Sequence, residues 1–150
     1  MRQPTRTRRH GFTLIELLIG MAIISLLAMI AIPNVMRASR TAKYGRAAAD
    51  VKTATTAAVT YVVDKNVYPT SLAVLRSNGY GSVGDRDPWT IPYELSPALR
   101  GGGPAVSGQE VYVFSKGASG VGVYPEPFVA ASGPGGSVGY SSVYGAWTGE

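Results

Sequence analysis

Hydrophobic positions change their spacing along this chain. No charged residue falls within positions 17–36, which read LLIGMAIISLLAMIAIPNVM. At 1.5 Å rise per residue, such a run makes about 30 Å of helix, the depth of a bilayer core. Further on, Ala47, Val51, Ala54, Ala58 and Val62 recur at spacings of three and four. This predicts a narrow, alanine-rich stripe on a helix continuing to about Asp64, suited to close packing against a sheet or a sister helix. Arg46 and Asp50, four apart, fall where a helical ion pair can form. After Gly79 the composition shifts to Gly, Pro, Ser and aromatic residues, which favours short strands joined by turns.

Pro33 lacks an N–H and clashes with the carbonyl four residues back, so a kink or local unwinding is expected over 29–32. The helix should end near Lys65-Asn66, because Tyr68-Pro69-Thr70-Ser71 starts a turn. A short helical turn is expected over 71–76, closed by Asn78-Gly79. Strands are expected over 93–95, 110–115 and 121–124, with 138–143 as a fourth. The result is an α+β fold: one long helix packed on a small antiparallel sheet. Unbroken from 12 to 64, that helix would run roughly 80 Å, too long for a compact monomer, so half of it must meet a membrane or other subunits.

Charge narrows the chemistry. The chain carries 14 Lys+Arg against 9 Asp+Glu, a formal +5, but Arg2, Arg6, Arg8 and Arg9 sit in the first nine positions. Without them the balance is 10 minus 9, or +1. The basic pI therefore belongs to the N-terminal tail, and no nucleic-acid partner is predicted. There is no Cys, and the single His is His10. That removes disulfides, thiol catalysis, Cys-based zinc sites and the commonest general base. Arg37, Arg40, Lys43 and Arg46 follow the apolar run, so both ends are positive and charge bias orients the span only weakly. No small-residue cleavage site follows it between 30 and 39, which disfavours an ordinary secretory signal; the pair Arg8-Arg9 does not by itself make a twin-arginine signal.

Glu16 breaks the apolar pattern. An unpaired carboxylate at bilayer depth costs at least about 2.5 kcal/mol, so it calls for a partner. Within the chain His10 and Arg9 are nearest; the structural alternative is a carboxylate snorkelling at a helix start, where the dipole favours it. The surrounding run, Gly11-Phe12-Thr13-Leu14-Ile15-Glu16-Leu17-Leu18, stands behind a short basic leader and ahead of the apolar segment and Pro33. It resembles the class III signal of type IV pilins and type II secretion pseudopilins.

The resemblance implies that a prepilin peptidase cuts between Gly11 and Phe12 on the cytoplasmic side and methylates the new Phe12 amine. It implies assembly roles for Thr13, Glu16 and Pro33, with Glu16 meeting the N-terminal amine of a neighbouring copy. The implied plan is a cleaved leader over 1–11, a transmembrane and assembly helix over 12–36, a continuing amphipathic helix over 37–64 and an α+β head over 65–150. The implied partners are further copies of the chain, minor pilins or pseudopilins, an inner-membrane assembly platform, the peptidase and membrane lipid. The chain would sit in the bacterial inner membrane with the leader cytoplasmic and the head periplasmic, before joining a periplasmic or surface filament.

The likeness extends into the head. Residues 61–70 (YVVDKNVYPT) resemble the end of the family's long helix and its Tyr68-Pro69 turn. Asp87-Pro88-Trp89 with Pro92-Tyr93 resembles the pseudopilin Asp-Pro-Trp-x-x-Pro-Tyr segment, and 113–120 the strand and loop after it. Trp89 and Tyr93 offer apolar faces able to anchor this loop on the helix stripe; an exposed contact for a neighbour or substrate is the alternative. In the pseudopilins, acidic residues of the C-terminal loop hold calcium. Here Ser119 stands where an aspartate is usual, and Glu126 is the only acid between Lys116 and Glu150. Calcium needs six to eight oxygen ligands, several of them anionic, so no cofactor and no tight calcium site is expected unless backbone carbonyls and Glu126 suffice.

Other features carry no chemistry. Gly101-Gly102-Gly103 and the glycines of 133–139 lack the Lys-Ser/Thr and helix of a phosphate loop and read as turns. Asp85 with Asp87, and Glu94 with Glu110, have no apolar pocket to separate their pKa values. Tyr124, Tyr140, Tyr144 and Trp147 read as a sheet edge or a docking tail. The expected function is a filament subunit, most consistent with a type II secretion pseudopilus and not an enzyme. The alternatives are a surface pilin for adhesion, motility or DNA uptake, a monomeric membrane-tethered binding module, and, against the missing His and Cys, an anchored hydrolase.

Overall fold

A computed structural model describes residues 11–125 and 134–149. Residues 1–10 of the leader expected over 1–11, and Glu126, lie outside them. Helix α1 spans Leu14–Lys65 with Pro33 inside it. Then follow α2 (Leu72–Ser77), β1 (Glu94–Leu95), α3 (Pro97–Gly101), β2 (Tyr112–Ser115), a 3-10 turn (Pro134–Gly136), β3 (Val138–Ser141) and β4 (Gly145–Thr148). The chain divides into two compact units, Met1–Ser39 and Arg40–Glu150.

In the first unit, helical geometry runs through 29–32, so the unwinding expected before Pro33 is absent. Residues 12–36 contain no buried side chain, and large apolar groups stand outward all round the helix. Length and composition suffice to cross a membrane.

In the second unit the alanine stripe meets the sheet. Ala47, Val51, Ala54 and Ala58 are buried, and Val62 is half-buried. Small side chains let the helix approach closely, and Val51, Ala54 and Ala58 pack with Tyr68, Leu72, Leu75, Tyr93, Leu99 and Val113. The Thr55 hydroxyl donates to the Tyr140 carbonyl of β3 at 3.0 Å, fixing the helix against the sheet.

The helix ends at Lys65, where Asn66 takes the left-handed conformation (φ 54°) that Asn tolerates after a helix. Tyr68 and Pro69 are buried beyond it. The Tyr68 hydroxyl donates to the Val106 carbonyl (3.2 Å) and accepts from the Val106 amide (3.1 Å), clamping the 104–106 loop. Ser71 caps α2 by accepting from the Val74 amide at 3.3 Å.

All strand pairs are antiparallel, in the order β1-β2-β3-β4. Side chains alternate across the strands. Val113 faces α1, so Tyr112 and Phe114 lie on the opposite face with Trp147. Gly139 sits between them: a Cβ there would fall 2.2 Å from Trp147 Cζ2 and 2.6 Å from Phe114 Cβ.

Several elements differ from expectation. Residues 121–124 form no strand, because the Gly122 amide turns back to the Lys116 carbonyl (3.1 Å) in place of a ladder partner. The fourth strand expected over 138–143 is β3, which stops at Ser141, and it takes in 138–139 of the glycine stretch otherwise read as a turn. Helix α3 begins at Pro97, a residue preorganised for the first helical position. Trp147 lies within β4, the sheet edge, paired Val138↔Thr148 and Gly139↔Trp147. Glu94 pairs with Arg100 and, at 2.8 Å, with Lys116, whereas Glu110 accepts from hydroxyls, so the two carboxylates have different partners.

Candidate assembly site

The N-terminal site is built on the first turn of α1. The Thr13 carbonyl accepts from the Leu17 amide (3.2 Å), which places Thr13 at the N-cap. Its hydroxyl accepts from the Glu16 amide at 3.3 Å and lies 3.5 Å from Glu16 Oε2, to which it donates. Thr13 therefore caps the helix through its hydroxyl, which also bonds the Glu16 carboxylate three residues on. The carboxylate sits at the positive end of the helix dipole and is exposed. Gly11 and Phe12 precede the helix; Phe12 is 81% exposed, and among the described residues nothing lies within 4 Å of where a Cβ on Gly11 would stand. An amine on Phe12 would stand beside the same turn. Pro33 lies on the exposed helix.

In the head, the segment beginning at Asp87 is organised by that residue. Asp87 is buried, yet it has no cation against it among the described residues. Its Oδ1 accepts from the backbone amides of Trp89 (3.0 Å) and Ile91 (2.8 Å), and its Oδ2 from the Ser115 hydroxyl (2.5 Å). Three donors thus satisfy this buried side chain in place of a cation. The Ser115 oxygen in turn accepts from the Gly117 amide at 3.0 Å. Thr90 reaches φ 68° within this turn, held by its amide bond to the Asp87 carbonyl. Pro88 is half-buried.

The turn delivers two rings to the helix. Trp89 meets Tyr44 edge-on at 4.8 Å beside Ala47 and Val138. Tyr93 is buried and donates to Asp50 Oδ2 at 3.0 Å. Burial, followed by the charge of Asp50, raises the Tyr93 hydroxyl well above the ordinary 10. Asp50 also lies 3.7 Å from Arg46. Both aromatics therefore pack on the helix stripe within the head. Asp85, by contrast with its neighbour Asp87, is an outer carboxylate: the Arg76 hydrogen bond (2.7 and 2.9 Å) holds its pKa below the usual range.

Sequence reasoning missed a second network. Glu110 accepts from the hydroxyls of Tyr124 (2.7 Å) and Ser141, partners 14 and 31 positions away, with no local pattern to announce them. Among the described residues no group of three or more His, Cys, Asp or Glu side chains could hold a metal. Ser119 donates to the Gly135 carbonyl at 2.6 Å.

An exposed apolar helix with a lone acid in its first turn, leading into an α+β head, defines a structural subunit of the filament-building kind. Residues 6–32 match the prokaryotic N-terminal methylation motif. The chain is 30% identical over 132 residues to the type II secretion system core protein G of Aeromonas hydrophila, covering 77% of this chain and 87% of that protein. It is 30% identical over 113 residues to core protein G of Pseudomonas aeruginosa, covering 64% and 80%. With the type IV major pilin protein PilA of Myxococcus xanthus it shares 34% identity over 148 residues, covering 92% of this chain and 65% of that pilin. The chain belongs to the type IV pilin-like family, which takes in the pseudopilins of type II secretion. It is a non-enzymatic, pilin-like filament subunit whose apolar helix and prepilin motif fit anchoring in the inner membrane.

Proposed function

We propose that this chain is a subunit of a type II secretion pseudopilus, a filament that drives folded proteins across the outer membrane. The observation that carries the reading is the outward-facing apolar helix with Glu16 at its start. Removal of residues 1–11 creates a positive amine on Phe12, four residues from Glu16. In a stack of copies, each carboxylate meets the methylated amine of a neighbour. Pairing the two inside an apolar bundle sets stagger, because a displaced copy would leave both charges unpaired. Contacts between identical apolar helices replace contacts with lipid, so extraction from the bilayer need not be prohibitive.

On this reading residues 12–36 serve first as a membrane span and then as the filament core, while the head is carried on the periplasmic side. An inner-membrane platform and minor subunits complete the assembly. The type II machine is favoured by similarity to core protein G in two organisms and by the Asp87-Pro88-Trp89 segment, whose carboxylate organises the head loop. A surface pilus is the second reading, favoured by the match to PilA across 92% of the chain.

The test is deletion of the gene followed by complementation with the wild-type chain or with Glu16→Ala. Loss of exoprotein from the medium with intact surface fibres supports the secretion machine; loss of fibres with normal secretion overturns it in favour of a pilus. Glu16→Ala should be processed and inserted yet absent from the filament fraction, and a normal filament yield removes the pairing role.

A further inference from the structure

Segment 116–124 follows β2: Ala118 and Ser119 lie near Arg40 and Tyr44 of α1, while Tyr124 at its end reaches the sheet face opposite α1. The Tyr124 ring stacks on Tyr112 (centroids 4.1 Å, planes 15° apart) and meets Trp147 edge-on at 5.3 Å. Its hydroxyl donates to Glu110 at 2.7 Å. At the other end of the loop the Ser119 hydroxyl donates to the Gly135 carbonyl at 2.6 Å.

The resemblance to pseudopilins implies calcium in this loop, and the residues present do not fit that ion. No acid lies between Lys116 and Tyr124. The carbonyls of Lys116 and Gly117 already accept from the amides of Gly122 and Gly120, both at 3.1 Å, and that of Gly135 from Ser119. Glu110, the nearby carboxylate, takes both the Tyr124 and Ser141 hydroxyls on Oε1 and is one anionic group where a hard cation needs several. Backbone also packs closely against the loop: a Cβ at Gly117 would fall 1.9 Å from the oxygen of Gly136 in the 3-10 turn, and one at Gly122 2.5 Å from the loop's own Lys116 oxygen. A hard cation needs six to eight oxygens, several of them anionic.

We infer that this loop is closed without metal, by an aromatic and hydroxyl clasp in which Tyr124 locks onto Tyr112, Trp147 and Glu110 while Ser119 ties the loop to Gly135. The inference concerns the head alone and stands whichever filament the chain builds. A clasp made of side chains is insensitive to chelators, so the head keeps its loop ordered in calcium-poor surroundings.

The test uses the full chain in detergent, with trypsin cleavage after Lys116 and thermal melting as readouts. For the wild type, about 1 mM calcium and excess EDTA should give the same cleavage rate and the same midpoint. Cleavage follows the population of the opened loop, so Tyr124→Ala should raise the rate about tenfold or more and Ser119→Ala by a few-fold. Should Tyr124→Ala fail to fold, Tyr124→Phe keeps the stack and loses only the bond to Glu110, and should speed cleavage about two- to fivefold. Protection or a raised midpoint with calcium that EDTA reverses overturns the inference. Wild-type cleavage rates in both Tyr124 variants overturn it as well.

Discussion

Replacing Asp87 tests whether one buried carboxylate holds the head loop to the sheet. In Asp87→Ala, three donors lose their acceptor: the amides of Trp89 and Ile91 and the Ser115 hydroxyl. Trp89 and Ile91 are half-buried, so water can reach their amides at partial recovery, about 1 kcal/mol lost for each. Ser115 is 0% exposed and loses its acceptor outright, about 2 kcal/mol. Relief from burying a charge offsets about 1 kcal/mol of this, leaving a net loss of about 3 kcal/mol. For a head of this size that lowers the melting midpoint by about 12 °C. Asp87→Asn keeps one oxygen for both amides and turns an NH₂ toward Ser115 Oγ, so it should lose only about 1 kcal/mol. The assay is fluorescence-monitored melting of the detergent-solubilised chain, with Trp89 and Trp147 as the two reporters. An Ala variant within about 2 °C of wild type, or an Asn variant as damaged as Ala, would refute the reasoning, since the first denies the network and the second assigns it to charge.

Further outcomes follow from other contacts. Gly139→Ala drives a methyl into Trp147 and Phe114 and should cost about 3 kcal/mol by overpacking, read by the same melt. Tyr93 has a folded-state pKa raised above the unfolded value of 10, so its contribution is intact below pH 10 and is lost as pH rises beyond it, where the unfolded chain releases the proton first. Tyr93→Phe should therefore flatten the alkaline fall in stability, measured by melting at stepped pH. Thr13→Ala removes the cap and should weaken the first helical turn by about 1 kcal/mol, seen as faster amide exchange over 14–17; unchanged exchange counts against the cap.

The long helix was legible because its apolar positions keep a helical period whatever surrounds them: the stripe from Ala47 to Ala58 is the buried face of α1. β2 was legible from a run of β-formers, and the Tyr68-Pro69 stop from local chemistry. Residues 121–124 misled because Val-Gly-Val-Tyr alternates like a strand, while Gly120 sits at φ 70° and Gly122 packs against backbone, neither of which alternation reveals. Ser96-Pro97 carried a helix start too short for periodicity to show. The Asp87 bonds to Trp89 and Ile91 are local and follow from an Asp at a turn, but its bond to Ser115 spans 28 positions. Glu16 shows a local bond to the Thr13 cap, whereas a partner amine on another copy has no signature in a single chain.

The central claim is that the chain works as a processed subunit stacked through its retained apolar helix. Mass spectrometry of the N-terminus of the chain recovered from isolated filaments tests it most directly. The expected polypeptide begins at N-methylated Phe12 with residues 12–36 intact. A chain in those filaments that starts at Met1, or beyond residue 36, contradicts it.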